Sequence, residues 1–152
     1  MNDTERALKL WVVLSRATAA VERHVRADIG RHGLSPAEFG ALEALHHKGP
    51  MLVGEVKKKI LVSSGGITYV IDRLVAKGLV ERRDCPEDRR AAYAALTPEG
   101  EALIADIFPG HALALEHATS GIDAEDKDRA IALLRTLGRE AARLEPRTEE
   151  GE

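Results

Sequence analysis

The stretch Ile60-Leu61-Val62-Ser63-Ser64-Gly65-Gly66-Ile67-Thr68-Tyr69-Val70-Ile71-Asp72-Arg73-Leu74 admits few folds. Ile67, Val70, Ile71 and Leu74 recur at the spacing of one helical face, so a short helix is expected to bury them. The opposite face then holds Ser64, Gly65, Thr68, Tyr69, Asp72 and Arg73. Ser63 or Ser64 is the expected N-cap, and Gly65-Gly66 clears bulk from the place where a ligand could meet the backbone. Free N–H groups beside small hydroxyls suit a phosphate. A plain amphipathic surface helix would carry Glu and Lys there instead.

The flanking punctuation narrows the choice further. Lys77-Gly78 ends this helix, with glycine where a left-handed residue is favoured. A short strand is expected over Leu79–Arg82, a polar loop over Arg83–Arg90 and a second strand over Ala91–Leu96. Thr97-Pro98-Glu99 opens another helix, Thr97 as cap and Pro98 in the first turn. Upstream, Ser35 and Glu38 form a capping box around Pro36, and Leu34 can staple against Phe39. Leu42 and Leu45 continue that apolar face until Gly49-Pro50. A short helix from about Val53 to Ile60 precedes the glycine-fronted one. Helix, helix, strand, basic loop, strand is the order of a winged helix-turn-helix.

Helices are also expected outside this core. The first runs from Thr4 to Arg31 and ends at Gly33, with Leu10, Leu14, Ala17, Val21 and Val25 on one face. A fifth, Pro98 to Thr119, should kink or break at Pro109-Gly110. The last starts at an Asp123 cap and carries Ile131, Leu134, Leu137 and Ala141 on one side. The fold class is therefore mostly α with a small β-wing, an α+β arrangement. Its winged helix-turn-helix DNA-binding domain spans residues 34–97. Apolar outer helices with little else to cover call for a partner, so residues 1–33 and 98–145 read as a dimerisation region. Residues 146–152 form an acidic tail expected to be disordered.

Charge is unevenly placed. From Lys57 to Arg90, nine Lys or Arg stand against five acids, a balance of +4. The whole chain is −3, so the remainder carries −7. Positive charge gathered on the expected binding elements marks an oriented DNA binder rather than a general nucleic-acid coat. At 152 residues and 44% hydrophobic, the chain can bury one ordinary core. It holds no run of about eighteen apolar residues. The N-terminus is charged from Asp3 to Arg6 with no compact apolar region behind it, so no signal peptide is expected. One cysteine excludes an internal disulfide and fits a reducing cytoplasm.

With these elements in order, residues 34–100 resemble the winged-helix core of the MarR family of bacterial transcription regulators. The resemblance is carried by Leu34-Ser35-Pro36-Ala37-Glu38-Phe39, Ser63-Ser64-Gly65-Gly66-Ile67-Thr68, Asp72-Arg73-Leu74, Lys77-Gly78-Leu79-Val80, Asp88-Arg89-Arg90 and Leu96-Thr97-Pro98-Glu99-Gly100. The flanking helices fit in length and order. The resemblance implies a homodimer on a near-palindromic operator, a repressor relieved by a small molecule, with no cofactor. A two-fold dimer would set two recognition helices one DNA turn apart.

The same resemblance sorts the contacts. Ser64, Gly65, Thr68, Tyr69 and Arg73 face the groove. Arg73 is the expected reader, since a guanidinium can clamp a guanine edge or a phosphate with two hydrogen bonds. Ser63 and Ser64 would hold phosphates and set register; Lys57 and Lys58 either touch the DNA backbone or are simply solvated. At the wing, the resemblance puts Arg90 in the minor groove, with Asp88 bracing Arg89 and Arg90. Narrow minor grooves attract arginine through their negative potential.

Effector residues are placed by family location, between the winged domain and the dimerising helices: Trp11, His24, His32, Phe39, His46 and His111. Trp11 also reads as an anchor of a dimer core. The run Lys59 to Leu74 is most similar to the branch that answers to hydroquinones, catechols and related phenolics, a similarity in the DNA-reading helix and not in a pocket. Cys85 admits a redox-responsive alternative, although redox-sensing members usually carry their cysteine on the first helix. His46-His47 are adjacent and His111 and His117 six apart, so neither pair shares a helix face as metal ligands would; no metal is expected. Gly65-Gly66 lacks the lysine of a phosphate-cradling loop, and catalysis is not expected. A winged-helix module for protein contacts is a further alternative; the basic wing counts against it.

Overall fold

Asn2 opens helix α1 (Asp3–Gly30) in the computed structural model, which describes residues 1–60 and 66–146. Its side chain accepts from the Glu5 N–H while Glu5 accepts from the Asn2 N–H, a capping box not anticipated from the sequence. On the expected apolar face, Leu14, Val21 and Val25 are partly buried, whereas Leu10 is half exposed. Only Asp28 and Ile29, at the C-terminal end, are buried outright.

Helix α2 (Pro36–Lys48) starts with the Ser35–Glu38 box and is the centre of the core. Phe39, Ala41, Leu42 and Leu45 are buried there with Leu34. Gly49, at φ 75°, turns the chain out of the helix. Met51-Leu52 then forms strand β1, missed in the sequence because two residues show no alternation. Helix α3 (Val53–Lys59) follows, then helix α4 (Ile67–Ala76), strand β2 (Val80–Asp84) and strand β3 (Ala92–Leu96). The sheet is antiparallel in the order β1-β3-β2. Met51 faces Ala94 across one side of β3, and Val80 to Asp84 run opposite Leu96 to Ala92 across the other.

Val70, Ile71 and Leu74 of α4 are buried and Ile67 partly so, the face expected from their spacing. The cap is a correction. The N-cap is Gly66, with no side-chain hydrogen bond, in place of Ser63 or Ser64. The helix begins where its apolar face begins, at Ile67, so the preceding residue becomes the cap. Ser63, Ser64 and Gly65 lie outside the described residues, as does most of the acidic tail. At the other end, Leu79 N donates to Leu74 O and Gly78 N to Val75 O, closing a Schellman turn around Gly78 at φ 72°.

Helix α5 (Pro98–Ala118) is capped by Thr97, whose Oγ1 accepts from Gly100 N at 3.0 Å and donates to Gly78 O at 2.6 Å. Of the kink or break expected at Pro109-Gly110, the break does not occur: α5 runs on through both residues. Proline costs a helix interior about 3 kcal/mol. Burial of Ile104, Ile107 and His111 on either side of Pro109 outweighs that cost. Fully buried Leu42, Ile71, Leu74, Ile104, Val56 and Val80 draw α2, α4, α5, α3 and β2 into one core.

Residues 119–152 are a separate unit. Its helix α6 (Ala124–Arg143) starts on Asp123, whose side chain accepts from Asp126 N at 2.9 Å. None of its residues is buried, and Ile131, Leu134 and Leu137 are exposed along one side. No helix among the described residues is long and apolar enough to cross a membrane.

Candidate nucleic-acid interface and an adjoining cavity

The polar face of α4 is open. Thr68, Tyr69, Asp72 and Arg73 are exposed, and the Arg73 guanidinium lies over the Tyr69 ring, 5.8 Å from its centroid. Behind them stands Glu38, buried on α2. Arg73 Nε donates to Glu38 Oε1 at 2.8 Å, and Lys77 Nζ donates to Glu38 Oε2 at 2.5 Å and to Gly33 O at 3.0 Å. Burial alone would raise the Glu38 carboxyl. Hydrogen bonds from Lys77, Arg73 and Ser35 N outweigh it and hold the group below its ordinary value. Sequence reading found Glu38 only as a cap, since partners so far along the chain leave no spacing signal.

Asp72 points elsewhere: its Oδ1 accepts from Arg82 Nη1 at 2.6 Å, which ties α4 to β2. At the tip of the wing, Asp88 Oδ1 accepts from the Arg90 backbone N–H at 2.9 Å and lies 3.4 Å from Arg90 Nε. The Arg90 side chain is 92% exposed, and Arg89 beside it is exposed too. Lys57 and Lys58 are exposed on α3, Lys58 paired with Glu55 at 3.1 Å. Cys85, just past β2, is buried and unpaired by disulfide. Reactive thiols generally sit partly exposed, so its setting does not favour reaction.

A cavity of about 320 Å³ opens beside α2. Val25 and Ile29 of α1, Phe39, Ala44 and His47 of α2, Lys59 of α3, and His111 and Leu115 of α5 line it. Two of the six residues named as effector candidates, Phe39 and His111, therefore come together, their rings 4.4 Å apart. The other four stand apart from it. Trp11 is 68% exposed, His32 is exposed, His24 packs edge-on to His117, and His46 Nδ1 lies 2.6 Å from Glu101 Oε1. The walls are mainly apolar, and His47, Lys48 and Lys59 are exposed at the rim.

The buried polar group on the wall is His111, whose Nδ1 lies 3.1 Å from Asp28 Oδ2. Asp28 Oδ1 also accepts from Arg31. Burial would raise the Asp28 carboxyl, but the Arg31 and His111 hydrogen bonds hold it below its ordinary value. An ionised Asp28 accepts, which puts the shared proton on His111 Nδ1.

A pH test follows from these two carboxylates. A carboxyl lowered in the folded state contributes stability in full above the unfolded value, and that contribution is lost as pH falls through the folded one. Stability should decline below about pH 4, and Glu38→Gln and Asp28→Asn should each flatten that decline. Thermal melts from neutral pH to pH 3 measure it; an unchanged acid limb in both variants would refute the assignment.

Comparison with known proteins accords with this geometry. Residues 32–91 match the family model described as MarR family. Over 135 residues the chain is 42% identical to the HTH-type transcriptional regulator MhqR of Bacillus subtilis (strain 168), covering 89% of this chain and 93% of the relative. The Bordetella bronchiseptica regulator BpsR, whose DNA binding is regulated by 6-hydroxynicotinic acid, superposes with a TM-score of 0.75 at 27% identity, over 83% of this chain and 90% of that one. Sco3205, a MarR family regulator from Streptomyces coelicolor solved in complex with DNA, shares the fold with a TM-score of 0.80 at 23% identity, over 95% and 91% of the two chains. A short helix with an arginine-bearing open face, a wing whose tip exposes Arg89 and Arg90, and these relatives lead to one conclusion: the chain belongs to the MarR family of winged-helix, DNA-binding transcription regulators.

Proposed function

We propose that the protein is a homodimeric repressor that grips a near-palindromic operator with α4 and the wing, and releases it when a small aromatic ligand enters the α2 cavity. One observation carries the reading: Arg73 and Arg90 stand exposed on α4 and on the wing, inside the Lys57–Arg90 segment, whose balance is +4 in a chain of −3. Such a surface positions on phosphates and reads through grooves. Thr68, Tyr69, Lys57, Lys58 and Arg89 add to it, with Ser63, Ser64 and Gly65 assigned to it by sequence.

Two features support dimerisation. Leu8, Trp11 and Val13 on α1 are more than half exposed. On α6, Ile131, Leu134 and Leu137 leave an apolar stripe open to solvent. Stripes of this kind mark association surfaces. The effector reading rests on the cavity, apolar with an aromatic wall at Phe39 and a single buried polar group at His111. A flat, hydroxylated ring such as a hydroquinone or catechol suits that wall. The relative BpsR answers to a hydroxylated aromatic ring as well.

Binding should be steeply salt-dependent. If about six phosphates are neutralised by the pair of subunits, log affinity falls linearly against log salt with a slope near −5. Fluorescence anisotropy on the protein's own upstream DNA, titrated across salt, measures it. A flat response would exclude a phosphate-gripping surface, and sedimentation showing only monomers would exclude the two-fold arrangement.

A further inference from the structure

We propose that Glu38 is a positioning residue for DNA reading: from α2 it fixes the Arg73 and Lys77 side chains, so that Arg73 meets the duplex with a set orientation. The inference rests on DNA binding through α4.

The geometry is unusual for a DNA-facing surface. A carboxylate there opposes the phosphates, so surfaces of this kind are depleted in acids unless the acid does something. Glu38 is 97% withdrawn from solvent, yet each of its oxygens receives a cation, Arg73 on one and Lys77 on the other. Its second oxygen also lies 3.4 Å from Ser35 N, which anchors the carboxylate to the start of its own helix. Arg73 bonds Glu38 through Nε, the inner nitrogen, and its guanidinium also lies against Tyr69, while its side chain stays half exposed. An arginine clamped at Nε has lost most of its rotamer freedom before DNA arrives, and less is then lost on binding. The hollow between α2 and α4 is lined by Glu38, Tyr69, Arg73 and Lys77 together, so the clasp borders the reading face directly. Asp72–Arg82 differs in kind: both partners are exposed, and such surface pairs contribute little.

The sign of the effect separates positioning from plain charge. By electrostatics alone, Glu38→Gln removes a negative charge near the DNA and should tighten binding. Positioning predicts the reverse for a specific site. The test uses a duplex selected by the wild-type protein from a random pool, beside an unrelated duplex of equal length. Glu38→Gln should weaken the selected duplex about tenfold, in the range of one disturbed arginine contact, and leave the unrelated duplex unchanged or tighter. In an Arg73→Ala background the same change should matter by less than about twofold.

Tighter or unaltered binding of the selected duplex by Glu38→Gln, with Arg73→Ala weakening it, overturns the positioning role and leaves the α4 reading intact. If Arg73→Ala itself has no effect, the α4 reading falls and the inference with it. An observation on the wild-type protein guards against a variant that does not fold. The Arg73 Nε–H should exchange with solvent more slowly than those of exposed arginines in ¹⁵N-arginine-labelled protein. Exchange at the rate of an exposed arginine would overturn the clasp.

Discussion

Gly100→Ala is expected to destabilise the fold by about 3 kcal/mol or more, the upper range for overpacking. A Cβ at that position would lie 2.0 Å from Leu79 O and 2.9 Å from Leu79 C, far inside contact distance. Relief would need backbone to move. Leu79 O accepts from Thr97 N at 3.1 Å, and Thr97 Oγ1 donates to Gly78 O, so shifting that carbonyl disturbs the start of α5 as well. The melting temperature should fall by about 6–12 °C for a chain of this size. Gly54→Ala is the control: a Cβ there, in the first turn of α3, meets nothing within 4 Å, and the substitution should be neutral or stabilising by up to about 1 kcal/mol. Melting of Gly100→Ala within about 2 °C of the parent would show that α5 does not need this close approach.

Arg90→Ala should abolish specific DNA binding and leave stability unchanged. The side chain is 92% exposed and its one ionic neighbour among the described residues, Asp88, is on the same loop, so nothing in the described core depends on it. At a groove, one arginine contact contributes about 1–3 kcal/mol, and the proposed two-fold complex would lose two of them, a drop of about thirtyfold at the least. Asp88 fixes the loop through the Arg90 backbone N–H, so Asp88→Ala should weaken binding less than Arg90→Ala does. Anisotropy titrations beside melting curves measure both. A specific affinity within about threefold of wild type in Arg90→Ala would take the wing out of the interface.

Much of this was legible one residue at a time. The cap at Ser35, the left-handed Gly78, the Thr97-Pro98 helix start and the Asp123 cap are local bargains between a backbone and its nearest side chains, and each is found where the sequence puts it. The buried face of α4 was equally plain, because a period of 3.6 residues survives in ten of them. Four features escaped, the first being the cap of α4, which is Gly66 and not Ser63 or Ser64. β1 is too short to have a period, the Asn2–Glu5 box was passed over, and the break at Pro109 was overestimated because burial on either side of it cannot be seen in a one-dimensional cost.

The site divides along the same line. Arg73 and Arg90 were readable as cations on exposed elements, whereas the clasp of Arg73 by Glu38 joins residues 35 positions apart. Phe39 and His111 come from α2 and α5, and Asp28, which holds the imidazole, comes from α1.

By itself the sequence determined the helices and the two wing strands, most of their caps, and on which segment the positive charge lies, since those follow from neighbours within a turn or two. Only the tertiary structure decided which acid stands behind which arginine and which rings share a cavity, because a contact between distant residues is set by how apolar faces pack, and packing leaves no spacing in the chain.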